Sequence, residues 1–408
     1  MLVAFTVGNF RSFKEPAMLS MVPIRRLKGE ERFDSTHLIE TGNRHYRSLL
    51  KIAAIYGANA SGKSNLLLGL SRMCEFVFDN LKELRHEQTP INNPFAFEKS
   101  SLKSPTLYEI QFLTKTHLYR YGFEIEGQRV VEEWLYRDEE ELFRRIGEEI
   151  VLGESFKEGN GKETQTRKDA LFLTVCGSYN GPISTEIMSL FRSMKMWGLK
   201  SRYRPPIGYI ISQYLDDARI SEKLRELIRL ADPGISDFRR ETEKITKPLI
   251  NPQTGEMKNV EDEIVTFAAV YDCDHANNTL QMDDLSSGTI KMISTAGSIL
   301  QAIHEEGIVV IDEIDIQLHP LLIEMVLETF HSHPTSKAQL IFTTHNTYPL
   351  RKKLLRRDQV WFVNKAPDFS SQLVNFAEFK VRPDASYEKG YLDGRFGGIP
   401  TMEISEIF

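Results

Sequence analysis

The chain has 408 residues, 41% of them hydrophobic and 26% charged, with a formal net charge of −6. That is the composition of a soluble globular chain, long enough for one large domain with an insertion or for two or three domains. The acidic balance argues against a surface drawn as a whole to nucleic acid. No apolar run reaches the roughly 18 residues a membrane helix needs. The opening MLVAFTVGNFRSF lacks the basic start and long apolar core of a signal peptide, so no membrane contact and a cytoplasmic location are expected. Cys74, Cys176 and Cys273 are too far apart for a disulfide framework or a zinc site and read as reduced thiols.

In chain order, LVAFTVGNF alternates like a strand, LLKIAAIY (49–56) is a buried run, and TLYEIQFL, HLYRYGFEI and VVEEWLY follow with partial alternation. From about residue 169 to 240 the spacing becomes helical, in ISTEIMSLFRSM and SEKLRELIRLA, with breaks at RYRPPIG and ADPG. The polar stretch KPLINPQTGEMKN marks the return, and EIVTFAAVY reads as a strand. Then come DDLSSGTIKM, the buried strand IVVI (308–311), the amphipathic LLIEMVLETF, and the buried strand AQLIFTTH. The expected domains are 1–155, a mainly helical insertion over 156–258, and 259–408. No sustained heptads appear in the insertion, which predicts a compact lobe rather than a long coiled coil.

Gly57-Ala58-Asn59-Ala60-Ser61-Gly62-Lys63-Ser64, followed by Asn65, fits G-x-x-x-x-G-K-[ST] between a buried strand and an apolar-periodic helix. Backbone N–H groups of such a loop, with the helix N-terminus, form a concave anion site. Lys63 is expected to reach the β- and γ-phosphates of ATP, and the Ser64 hydroxyl to ligate Mg²⁺. Ile308–Asp315 ends four apolar residues in Asp312 and Glu313, at the carboxyl end of a buried strand where α/β ligands bind. Asp312 is placed for the metal shell and Glu313 to polarise the attacking water. His345, at the end of the next buried strand, is a candidate partner of the γ-phosphate or that water. One loop covers only one side of a transferring phosphoryl group. The turn Leu285-Ser286-Ser287-Gly288-Thr289, at a helix start, offers a second anion-binding surface.

The order P-loop, Ser-Gly turn, Asp-Glu strand and His strand resembles the ATP-binding-cassette ATPases, with LSSGT at their signature. The resemblance implies an α/β head, a mixed sheet with a P-loop core and an N-terminal antiparallel β-lobe, carrying a compact helical insertion. It also implies at least a homodimer, in which Leu285 to Thr289 cap ATP held by a second copy. MLVAFTVGNFRSF is similar to the N-termini of recombination-type and overcoming-lysogenization-defect ATPases, which puts Arg11 near the phosphates. IDEIDIQLHP and YLDGRFGGIP look like the short ATPases of bacterial restriction and abortive-infection loci. The resemblance covers most of 1–150 and 260–408. Transporters have an aspartate where Leu318-His319-Pro320 stand here, so a role for His319 across the dimer is an analogy. No residue is assigned to the glutamine loop, for which Asn92 and Asn93 are candidates.

Three functions compete. The first is an ATP-dependent dimerising switch that controls an effector encoded nearby, a nuclease or toxin in phage defence. The second is a DNA repair or recombination ATPase, binding nucleic acid through the basic clusters Arg192–Arg204 or Arg351–Arg357. The third, a fused nuclease, is disfavoured because residues 346–408 hold no carboxylate cluster.

Overall fold

A computed structural model describes all residues except 25–26, 28–29, 82–90, 200–206, 251–256, 274–277, 317–319, 334, 352, 383–384 and 400–408. His319, residues 200–204 of the first basic cluster and Pro400 of the C-terminal motif lie outside the described residues. The chain forms two compact units. One comprises Met1–Arg204, Ala302–Ile316 and Leu327–Phe408, the other Pro205–Gln301 and Gln317–Val326.

The first unit opens with β1 (Leu2–Gly8) and β2 (Ala17–Ser20). Helix α1 (Asp34–His37) and the ribbon β3 (Leu38–Glu40) and β4 (Ser48–Leu50) lead to β5 (Ile52–Gly57) and α2 (Lys63–Asp79). A meander follows: β6 (Thr106–Leu113), β7 (Leu118–Glu126), β8 (Arg129–Arg137), β9 (Glu140–Ile146) and β10 (Glu149–Leu152). Then come α3 (Phe172–Ser178), α4 (Pro182–Arg192) and β11 (Met194–Trp197). The second unit holds α5 (Ile207–Asp216), α6 (Ala218–Ala231), β12 (Ile235–Ile250), β13 (Met257–Tyr271), β14 (Thr279–Gln281) and most of α7 (Ser287–Glu305). After β15 (Ile308–Ile311) in the first unit, α8 (Pro320–His331) belongs to the second as far as Val326, and the first unit resumes through β16 (Gln339–Thr343), α9 (Tyr348–Arg351), β17 (Val360–Lys365), β18 (Ser371–Asn375) and α10 (Tyr387–Leu392).

Two sheets shape the first unit. One is antiparallel and seven-stranded, in the order β10-β9-β8-β7-β6-β1-β2. β6 alternates buried and half-buried residues along most of its length, as a strand with one covered face does. The other sheet runs β11-β15-β16-β5-β17-β18, parallel except for the β17–β18 pair. Every residue of β5, β15 and β16 is buried, which explains their unbroken apolar runs. Gln339 in β16 joins the sheets. Its Oε1 accepts from the Leu2 amide at 2.6 Å, and its Nε2 donates to Leu2 O at 2.9 Å and Leu50 O at 3.2 Å. α2 packs on this core through Leu66, Leu67, Leu70, Met73 and Val77. Truncating one such leucine to alanine costs about 2–5 kcal/mol. The mixed sheet and antiparallel lobe match the expected fold class.

The insertion differs from the expected 156–258 in two respects. Residues through β11 belong to the first unit, where Met194–Trp197 pairs in parallel with β15. The remainder carries strand as well as helix: β12 and β13 form a long antiparallel ribbon, paired from Ile235↔Tyr271 to Ile250↔Met257 with a register shift between Ile235 and Asp237. In β12, Arg239, Arg240, Thr242, Glu243 and Lys244 are all exposed, so that strand shows no apolar period, whereas EIVTFAAVY in β13 is the strand its apolar residues predict. The helices do pack on its base. Tyr214 of α5 meets Phe238 edge-on at 5.5 Å and donates to Asp237 Oδ1 at 2.7 Å.

Candidate functional site

β5 ends at Gly57, and the loop to α2 allows only glycine at two places. A Cβ on Gly57 would stand 2.6 Å from Ser61 Oγ and 2.7 Å from Val363 O. Gly62 has φ +112°, and a Cβ there would overlap Ser371 Oγ and stand 2.6 Å from Ser12 Oγ. Lys63, buried, donates from Nζ to Gly57 O at 2.9 Å and Ala58 O at 3.0 Å. Burial pulls its ammonium below the ordinary lysine value, against the opposing pull of Asp312, Glu313 and Asp315. Ala60 is left-handed (φ 59°), and the Ser61 hydroxyl is buried without a hydrogen-bond partner among the described residues.

The carboxyl ends of β5, β15 and β16 bring the sequence-predicted residues together. Ser64 Oγ donates to Asp312 Oδ1 at 3.1 Å. Thr343 Oγ1 donates to the same oxygen at 2.6 Å and accepts the Glu313 N–H at 2.7 Å. Glu313 is left-handed (φ 52°), a backbone state that a non-glycine residue adopts at a cost of about 1–3 kcal/mol. The Asp312 amide donates to Trp197 O of β11 at 2.9 Å, so the edge strand pins this aspartate from the other side. The His345 amide donates to both Asp315 oxygens, at 3.3 and 3.2 Å. Desolvation and then Lys63 lower the His345 imidazole below its ordinary value, with the three nearby carboxylates opposing.

Arg11 reaches this loop: its Nη1 donates to Asn65 Oδ1 at 3.3 Å, and Asn65 Nδ2 donates to Ser12 Oγ at 2.8 Å. Ser12 O accepts from the Ser371 amide at 2.6 Å, and Ser371 Oγ donates to Ser61 O. Thr343, Asp315, Trp197, Ser12 and Ser371 thus support the site without having been picked from the sequence. Only the FRSF turn carried a hint, at Ser12. Asn92 is taken up structurally, as its Oδ1 accepts from Thr106 Oγ1 at 3.0 Å.

The Ser-Gly turn lies in the second unit and starts α7. Ser286 Oγ accepts the Thr289 N–H at 3.0 Å and sits 2.8 Å from Thr289 Oγ1, while Thr289 Oγ1 donates to Asp232 Oδ2 at 3.3 Å. With the threonine proton committed to Asp232, the Ser286 hydroxyl donates to Thr289. Leu285 is buried, Ser286 and Ser287 are exposed, and Gly288 is half-buried.

The basic cluster Arg351–Arg357 is divided: Arg351 is exposed, Lys352 lies outside the described residues, and the two arginines at its end are buried. Arg356 and Arg357 are 3% and 8% exposed. Arg356 pairs with Asp358 at 2.9 Å, and Arg357 lies 3.4 Å from Glu30. The two arginines serve the interior because LLRRDQV runs into β17, where their stems are covered. In the other cluster, Arg192 stacks on Phe78 at 5.2 Å and Lys195 lies 3.9 Å from Glu305.

The residues present fit a nucleotide and a divalent cation. The loop is a cradle that a Cβ would fill at Gly57 and Gly62, Ser61 Oγ is an unspent polar group within it, and Ser64 and Asp312 offer adjacent hard oxygens. Among the described residues, no helix is long and apolar enough to cross a membrane.

The SMC head domain from Thermotoga maritima is similar in structure at 14% identity, with 93% of this chain and 99% of that chain covered and a TM-score of 0.40. An SmcHead bound to the C-winged helix domain of ScpA gives 14% identity, coverage of 91% and 97%, and a TM-score of 0.48. A Pyrococcus furiosus Smc head domain with an extended coiled coil, bound to the C-terminal domain of ScpA, gives 13%, 97%, 98% and 0.47. A search of the curated proteins returns no match. A family model described as "AAA domain, putative AbiEii toxin, Type IV TA system" matches residues 52–350, from β5 through the P-loop to His345 and α9. On that match, spanning well over half its length, the chain belongs to this AAA-domain family.

Proposed function

We propose that the chain binds and hydrolyses ATP with Mg²⁺, and that ATP pairs two copies into a switch controlling an effector protein, a nuclease or toxin, in antiphage defence. The contact between Ser64 and Asp312 at 3.1 Å carries the reading, because it joins the P-loop to the carboxylate strand. The Lys63 ammonium, now on two loop carbonyls, is within the same loop that would hold the β- and γ-phosphates. Ser64 and, through water, Asp312 would hold the Mg²⁺, which when bound neutralises charge on the β- and γ-oxygens. Glu313, whose backbone is left-handed directly after β15, orients and polarises the attacking water. A neutral His345 donates a hydrogen bond to the γ-phosphate or to that water, its ring being lowered by burial and by Lys63. Arg11, Gly57 to Ser64 and Asn65 line the nucleotide.

Leu285, Ser286, Ser287, Gly288 and Thr289 act in trans, on ATP held by the other copy. The position of Ser286 and Ser287 at the surface, at the capped start of α7, supports this. The family description, with its toxin and toxin–antitoxin terms, supports the effector setting. The pairing of Arg356 and Arg357 takes these two residues away from direct DNA binding.

Glu313→Gln traps the ATP state, and an ATP-dependent dimer on size exclusion is the expected result; a monomer at saturating ATP refutes the shared site. Ser286→Arg should keep ATP binding and lose hydrolysis. Loss of binding as well would remove the assignment in trans.

A further inference from the structure

The motif YLDGRFGG, Tyr391 to Gly398, has a resemblance but no role. It lies against the first residue of the nucleotide loop. Gly397 and Gly398 are both left-handed, at φ +73° and +71°. A Cβ on Gly398 would stand 3.3 Å from Gly57 Cα and 3.2 Å from Tyr391 Cε2, and one on Gly397 would overlap the Asn364 side chain. The C-terminal segment therefore crosses Gly57 backbone to backbone, an approach that glycine alone permits.

Tyr391 holds the segment there. Its hydroxyl donates to Gly398 O at 3.1 Å. Its ring lies flat on Phe362 (5.4 Å, 15°) and meets Tyr56 edge-on (5.8 Å, 66°). Phe396 lies nearly parallel to Phe362 at 5.7 Å. Phe362 and Val363 of β17 are in register with Tyr56 and Gly57 of β5, so these rings pack on the two residues that launch the loop. Gly57 is thereby enclosed on three sides: by Lys63 Nζ at its carbonyl, by β17 at its strand edge, and by Gly398 at its Cα. An error in Gly57 shifts the carbonyl that Lys63 uses, and a phosphate cradle is sensitive to displacements well under 1 Å.

We propose that Tyr391 is a positioning residue for the nucleotide loop: by fastening Gly398 over Gly57 it sets where the loop leaves β5, and so sets the affinity for the phosphates. This rests on the nucleotide reading above. It assigns the C-terminal motif to the same site as the P-loop, although the two are more than 300 positions apart. Tyr391 touches no substrate; it acts through Gly398 and Gly57.

Tyr391→Phe in the full chain keeps the ring on Phe362 and Tyr56 and removes the hydroxyl, with its bond to Gly398 O and its interaction with the Gly57 backbone amide. The expected result is a rise of about tenfold in the dissociation constant and KM for ATP, with kcat within about twofold and the thermal midpoint unchanged. Gly398→Ala should raise the same constants by pressing a methyl on Gly57. If that variant does not fold, Tyr391→Phe decides alone. A Tyr391→Phe protein that binds ATP like the parent overturns the proposal. So does one whose midpoint falls while its ATP affinity holds, because the hydroxyl then serves only packing. Lys63→Ala is measured beside them: if it binds ATP like the parent, the nucleotide reading fails first and the proposal with it. Loss in Lys63→Ala but not in Tyr391→Phe rejects the C-terminal segment's role alone.

Discussion

The Thr343 hydroxyl donates to Asp312 Oδ1 at 2.6 Å and receives the Glu313 N–H at 2.7 Å, so one side chain sets both carboxylates at the end of β15. Thr343→Val keeps the shape and removes both bonds. Hydrolysis should fall about 10–100-fold, as for loss of an outer-shell partner of a metal ligand, while ATP binding is kept. Thr343→Ser should recover most of it. Steady-state phosphate release, with ATP affinity measured in parallel, checks the split.

Arg356 forms a forked pair with Asp358, Nε to Oδ1 at 3.0 Å and Nη2 to Oδ2 at 2.9 Å, and Asp358 Oδ2 also accepts the Ile24 amide at 2.9 Å. Arg356→Ala leaves a buried carboxylate without its cation, and should lower the unfolding free energy by about 3–5 kcal/mol. Urea denaturation measures this. A variant of unchanged stability with weakened, salt-sensitive DNA binding would restore the nucleic-acid reading.

Asp138 stands where β8 hands over to β9. Burial alone would raise its carboxyl, but the Leu118 amide and the His117 and His45 imidazoles hold it at about 2. An unfolded aspartate protonates near ~3.9, so the folded chain favours the charged form more than the unfolded chain does. That contribution is fully present above about pH 4 and is lost as pH falls towards 2. Asp138→Asn should therefore lower the thermal midpoint at neutral pH and flatten the acid limb of its pH dependence. Parallel curves for the two proteins would show that Asp138 contributes nothing there.

What the sequence made legible was chemistry carried by contiguous residues. Gly57–Ser64, Asp312 and Glu313 announce themselves through a fixed spacing or through the end of an apolar run, and the structure gathers them at the carboxyl ends of β5 and β15, the two strands that flank β16. Arg11 came from a resemblance, and its contact with Asn65 is found. Trp197 was hidden inside RSMKMWGLKSRYR, where the basic residues outweighed the two-residue alternation of Met194 and Met196 around Lys195. A strand of four residues is too short for a period to stand out. Tyr391 and Gly398 were illegible for a different reason. Their partner is Gly57, and nothing in a linear pattern marks which distant glycine a backbone will cross. Of the ribbon, β13 was legible in EIVTFAAVY, while β12 escaped because its largely exposed run from Arg239 to Lys244 carries no apolar alternation.

Gln339 gives the first unit a mechanical property. Sliding the antiparallel sheet by one residue past the strand that ends in Thr343 would part the amide from Leu2 and orphan Leu2 N and Leu2 O together. Each orphaned buried group costs about 1–3 kcal/mol, so shear between the two sheets is opposed where the nucleotide loop takes its bearings. The sheets act as a fixed anvil. Movement that ATP brings to this unit then falls to the loops at the strand ends, which makes the loop crossing at Gly57 a point where such movement can be felt.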